Sequence, residues 1–134
     1  MRFARYTFVA AGTIGIIVLA PMYFLLERTG ADNPPPVTHP EFYYGFIGVA
    51  LAFQLVFLMI ATDPVRFRPL MLAAIVEKFA FVIPTFYLYS QGSPLGTILI
   101  GALLDLLWAI LFIASYFKVT PTASVIKLVS DSEH

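Results

Sequence analysis

The chain has 134 residues, 60% of them hydrophobic and 12% charged, with eight Lys and Arg balanced by eight Asp and Glu, and no Cys. Soluble domains carry about 25% charged residues, so this chain has too little polar surface to cover a globule. The neutral balance shows none of the basic excess of nucleic-acid-binding domains, and the lack of Cys excludes a disulfide scaffold, thiolate metal sites and a thiol nucleophile.

Four apolar runs of roughly 20 residues dominate the chain, each long enough to cross a hydrocarbon core of ~30 Å. They do not alternate as barrel strands would, and backbone polar groups in hydrocarbon must be satisfied within one segment, so each run is predicted to be helical. The fold class is therefore all-α: a polytopic membrane protein built as a four-transmembrane-helix bundle. The first span is expected at 6–26, behind Arg2 and Arg5. It is read as retained rather than cleaved, because Pro21 follows Leu19-Ala20 and makes a poor cleavage context. The second span is expected at 43–62. The connection before it holds Pro34-Pro35-Pro36, which stiffens it, and His39 and Glu41. Those two are too few to ligate a metal, and Glu41 suits the start of a helix.

The third span is expected at 70–89 and the fourth at 95–117. Between the second and third lies Asp63-Pro64-Val65-Arg66-Phe67-Arg68-Pro69, where Pro64 stops one helix and Pro69 suits the first turn of the next. Arg66 and Arg68 are expected to contact lipid headgroups. Residues 1–119 form one domain in this reading, and 120–134 a mobile cytoplasmic tail with an apolar patch, Val125–Val129, too short to span. Arg2, Arg5, Arg66, Arg68, Lys118 and Lys127 fall on one side of the membrane and only Arg28 on the other. Basic flanks stay cytoplasmic, so the plan is N-in and C-in, and tyrosines 23, 43, 44, 87 and 89 gather near the outer boundary.

Three ionisable residues lie inside the spans: Glu77 and Lys78 in the third and Asp105 in the fourth, joined by Gln54 and Thr13. A charge at a helix centre costs ~2.5–3.5 kcal/mol on insertion scales, so such groups are not expected to face lipid idly. At 1.5 Å per residue from the cytoplasmic end, all five lie ~10–18 Å deep, so a single bundle could gather them. Adjacent helical positions point about 100° apart, so Lys78 is expected to pair with Asp105 while Glu77 turns toward Gln54 and Thr13. Two carboxylates and one ammonium leave a formal −1. Desolvation neutralises it by keeping Glu77 protonated, or a cation, a cationic ligand or water offsets it.

The run Asp63-Pro64, Arg68-Pro69, Glu77-Lys78, with the short four-span N-in plan, resembles small bacterial inner-membrane proteins of unassigned activity, the loosely DoxX-like group. That resemblance covers the plan of the chain and implies a four-helix membrane bundle in the inner membrane. No phosphate loop, zinc motif or nucleophile elbow occurs, and no cofactor is expected. The leading expectation is a non-enzymatic bundle whose midplane cluster (Glu77, Lys78, Asp105, Gln54, Thr13) binds a proton or a small apolar or cationic ligand. It would act as a homo-oligomer or as an accessory subunit of a larger membrane complex. One alternative is a membrane-embedded enzyme using Glu77 and Asp105 as an acid/base pair on a lipid-soluble substrate, in a cavity lined by Phe81, Trp108 and Phe112. The other is a purely structural bundle glued by these groups.

Overall fold

The computed structural model describes residues 1–121 and 123–133; the side chains of 123–126 and 128, most of the apolar tail patch, lie outside the description. The chain is all-helical among these residues. Helix α1 (Arg2–Leu19) runs on into a 3₁₀ segment (Ala20–Phe24), followed by a short α2 (Leu26–Asp32). The long helices α3 (Pro40–Thr62), α4 (Arg68–Ser90) and α5 (Thr97–Lys118) complete the bundle, and α6 (Ala123–Ser132) occupies the tail, where no element is expected. Four helical stretches, Arg2–Phe24, Pro40–Thr62, Arg68–Ser90 and Thr97–Lys118, are long and apolar enough to cross a membrane.

Differences from the expected spans have local causes. Pro21 has no N–H to return to Ile17, so the last turns of the first span tighten from α to 3₁₀ geometry. Pro40 and Pro69 sit in the first turns of α3 and α4, where a missing N–H costs nothing, and helix begins with or just before each of them. Helix α4 continues through Pro84, beside which the Thr85 hydroxyl donates to the Phe81 carbonyl at 2.7 Å.

The spans close as a ring. Helices α1 and α3 pack closely as one hairpin, α4 and α5 as the other, and lighter α1–α5 and α3–α4 contacts join them. All four spans feed a shared core in the half nearest the chain termini, where the rings of Phe8, Phe57 and Phe112 meet. Phe8 stacks on Phe112 at 4.3 Å, and Phe57 meets Phe112 edge-on at 4.9 Å. Lipid tails are as apolar as these side chains, so what this core contributes is close van der Waals packing rather than removal of surface from water. Close approach of α1 to α3 depends on Gly12, where a Cβ would lie 2.9 Å from the Gln54 carbonyl oxygen.

Helix ends are tied by neighbouring elements. At the termini face, Arg68 Nε donates to the Tyr116 carbonyl of α5 at 3.1 Å, and its guanidinium lies 3.7 Å from the Tyr116 ring centroid. Arg5 reaches the Thr62 carbonyl at the end of α3 at 3.5 Å. At the opposite, loop face, Asn33 Oδ1 accepts from the Thr97 backbone N–H at 3.0 Å and so caps α5 from another segment. Gly96, at φ 52, leaves room for it, since a Cβ there would come within 2.6 Å of Asn33 Oδ1. His39 precedes α3 without capping it; its Nδ1 lies 3.0 Å from Glu41 Oε1.

Candidate functional site

The site is built on the α4–α5 hairpin, about midway along the two spans. Position 78 belongs to the inward stripe of α4 with Met71, Ala74, Val82 and Thr85, so the Lys78 stem is carried into the bundle and its side chain is 6% exposed. Its Nζ donates to Asp105 Oδ1 at 3.0 Å, the expected pairing across the hairpin. It also lies 3.2 Å from Glu77 Oε2. The 100° between neighbouring positions does not separate them, because the four-carbon lysine stem brings the ammonium back to its neighbour's carboxylate. Three charges thus meet at one point. Below them the Phe57 ring faces the ammonium, 5.3 Å from its centroid, a contact from the other hairpin that helps hold a cation away from water.

Glu77 is the unbalanced member. Its Oε2 is buried and has the Lys78 ammonium at ion-pair distance without an aligned hydrogen bond, while that ammonium donates to Asp105. A buried polar atom in this condition calls for an explanation, such as a proton, an ion or a ligand.

Two expected members stand apart. Thr13 is exposed on the outside of α1, because the approach through Gly12 turns the Ala4, Thr7, Phe8, Ala11 stripe inward and Thr13 off it. Gln54 is buried but belongs to the α1–α3 contact: its Nε2 donates to its own helix's Ala50 carbonyl at 2.9 Å, and its amide fills the notch left by Gly15. Neither makes a hydrogen bond to Glu77. Arg68 is committed to Tyr116, while Arg66 stays exposed with its guanidinium 5.3 Å from the Phe67 ring. The cavity expected along Phe81, Trp108 and Phe112 is not built that way, since Phe112 is fully buried between Phe8 and Phe57 and Trp108 packs on it at 6.3 Å. A shallow apolar groove of ≈ 380 Å³ instead runs along the outer side of α4, past Phe79, Ile83 and Pro84.

Sequence reasoning missed Phe57 as the floor of the site. One Phe among 13 carries no local signal of lying under a lysine of the next helix.

A ring of four apolar spans around an interior charge cluster defines a small integral membrane protein of the four-helix-bundle kind. No protein-family model, curated protein or solved structure matches this chain.

Proposed function

We propose that this chain is a bacterial inner-membrane bundle with both termini in the cytoplasm, and that its midplane cluster binds a proton or a small cationic ligand at Glu77. The observation that carries this reading is the buried, hydrogen-bond-free Oε2 of Glu77 in a group of two carboxylates and one ammonium. A net −1 in a low-dielectric interior is costly unless something balances it. One ammonium offsets only one of the two carboxylates and its hydrogen bond goes to Asp105, so Glu77 is the member left to hold the balancing proton or cation. Four spans rarely enclose a transport path alone, so the bundle works as a homo-oligomer or as an accessory subunit of a larger membrane complex. Membrane-embedded acid/base catalysis is the weaker alternative, because the aromatic residues that would line a substrate cavity are packed together.

Infrared spectroscopy of the carboxyl stretches in nanodiscs tests this. A protonated-carboxyl band at neutral pH, lost in Glu77→Gln and perturbed by a proton gradient or an added organic cation, is the expected result. Two ionised, unresponsive carboxylates would make the cluster a structural tie between α4 and α5.

A further inference from the structure

A second, unrelated feature lies at the loop face. The 3₁₀ segment, the first turn of α2 and the start of α3 border an open hollow of ≈ 460 Å³ lined by Tyr23, Phe24, Leu26, Glu27, Arg28 and Tyr44. Tyr43 holds its walls together. Its hydroxyl donates to the Met22 carbonyl at 2.7 Å and lies 3.1 Å from Thr29 Oγ1, so the 3₁₀ segment and α2 are both tied to α3. Tyr23 and Tyr44 form one nearly parallel pair, with ring centroids 6.0 Å apart and planes 9° apart.

The depth of this hollow follows from the span. The first apolar stretch ends at Phe24, and that ring is 90% exposed, so it must lie against acyl chains while Glu27 and Arg28 stand at headgroup level. The Glu27 carboxylate has no side-chain partner among the described residues, and Arg28 reaches only an exposed Asp32, at 3.7 Å. One unpaired carboxylate and one guanidinium held only by a solvent-exposed ion pair, adjacent in the chain and beside an aromatic wall, complement a group that carries one phosphate and one ammonium.

We propose that this hollow binds the headgroup of a zwitterionic aminophospholipid. Arg28 takes the phosphate, since a planar guanidinium matches its oxygens. Glu27 takes the ammonium, which also lies against the Tyr23–Tyr44 pair. Phe24 packs beside the acyl chains. A primary ammonium fits better than a quaternary one because it has N–H groups to donate to Glu27. An anionic headgroup without an amine would face Glu27 with like charge.

Native mass spectrometry of protein released from nanodiscs holding equal amounts of phosphatidylethanolamine, phosphatidylcholine and phosphatidylglycerol tests the proposal. The wild type is expected to retain phosphatidylethanolamine enriched several-fold over the other two. Glu27→Gln combined with Arg28→Gln should lose that enrichment with unchanged helicity, as both residues are exposed, and Tyr44→Leu should weaken it without altering charge. Lipid held by the basic residues at the termini face is common to all variants, so the difference between them reports the hollow alone. Equal enrichment in the double variant, or preference of the wild type for either other lipid, would overturn the proposal. So would binding of soluble phosphoethanolamine with no selection among lipids, which would make the ligand a free phosphate ester.

Discussion

At the scale of single residues, the interior charge balance turns on Lys78. Its ammonium serves two carboxylates, at 3.0 Å and 3.2 Å, from a position 6% exposed. Removing one partner of a buried ionic group leaves its counter-charge stranded, at a cost of about 3–5 kcal/mol. Lys78→Met is therefore expected to lower stability by that order in reversible unfolding from detergent. Glu77→Gln removes the surplus charge at the loss of one unaligned ion-pair contact, while Lys78 keeps Asp105, and should leave stability unchanged or slightly raised. Equal losses in the two variants would show that Glu77 supports the fold as strongly as Lys78 does. The sequence makes the presence of these charges inside the spans legible, and also the Lys78–Asp105 pairing, because both follow from depth and side-chain reach. It does not reveal which groups share an azimuth. Thr13 and Glu77 lie at similar depths, yet Thr13 points away from the bundle, since the face of α1 is chosen by its glycines and not by its one mid-span hydroxyl.

At the scale of elements, the contacts between helices rank the small residues. A methyl group at Gly12 would meet the Gln54 carbonyl oxygen at 2.9 Å as well as Leu58, and backbone cannot swing aside. At Gly15 the obstacle is the Gln54 side chain from Cγ to its amide, which can change rotamer, and no backbone atom. Gly12→Ala is thus expected to lower thermal stability in detergent more than Gly15→Ala, and Gln54→Ala should rescue only the latter. If Gln54→Ala rescued Gly12→Ala equally, the backbone contact would not be the limiting one. The trans cap of α5 gives a second expectation. Asn33→Ala removes the acceptor for the Thr97 N–H and should cost about 1 kcal/mol, with faster hydrogen exchange confined to the first turn of α5. Asn33→Asp, which keeps the acceptor, should restore protection. Helix starts at Pro40 and Pro69 are legible because proline acts on its own backbone. The Asn33–Thr97 cap is not, because 64 residues separate its partners and nothing local in Asp32-Asn33-Pro34 marks a cap for a distant helix.

At the scale of the whole molecule, the basic residues of the termini face also close the helices. The C-terminal ends of α3 and α5 both lie at the termini face, where the helix dipole places negative charge. Arg5 reaches the Thr62 carbonyl and Arg68 the Tyr116 carbonyl, while Lys118 at the end of α5 lies 4.2 Å from the Phe3 ring centroid. Each of these cations therefore complements a helix end and also adds to the basic bias of this face, the bias that the positive-inside rule associates with the cytoplasmic side. The opposite face has only Arg28 and is closed by neutral groups, Asn33 and Tyr43. This division predicts the topology directly, and a chain without Cys lets single cysteines report it. Ser93→Cys, between α4 and α5, is expected to react with a membrane-impermeant maleimide in intact cells. Ser130→Cys, in α6, should react only after permeabilisation. The reverse pattern would put the capped basic face outside the cell. The cations would then be helix caps alone, and the orientation would have to come from a partner rather than from this chain's own charges.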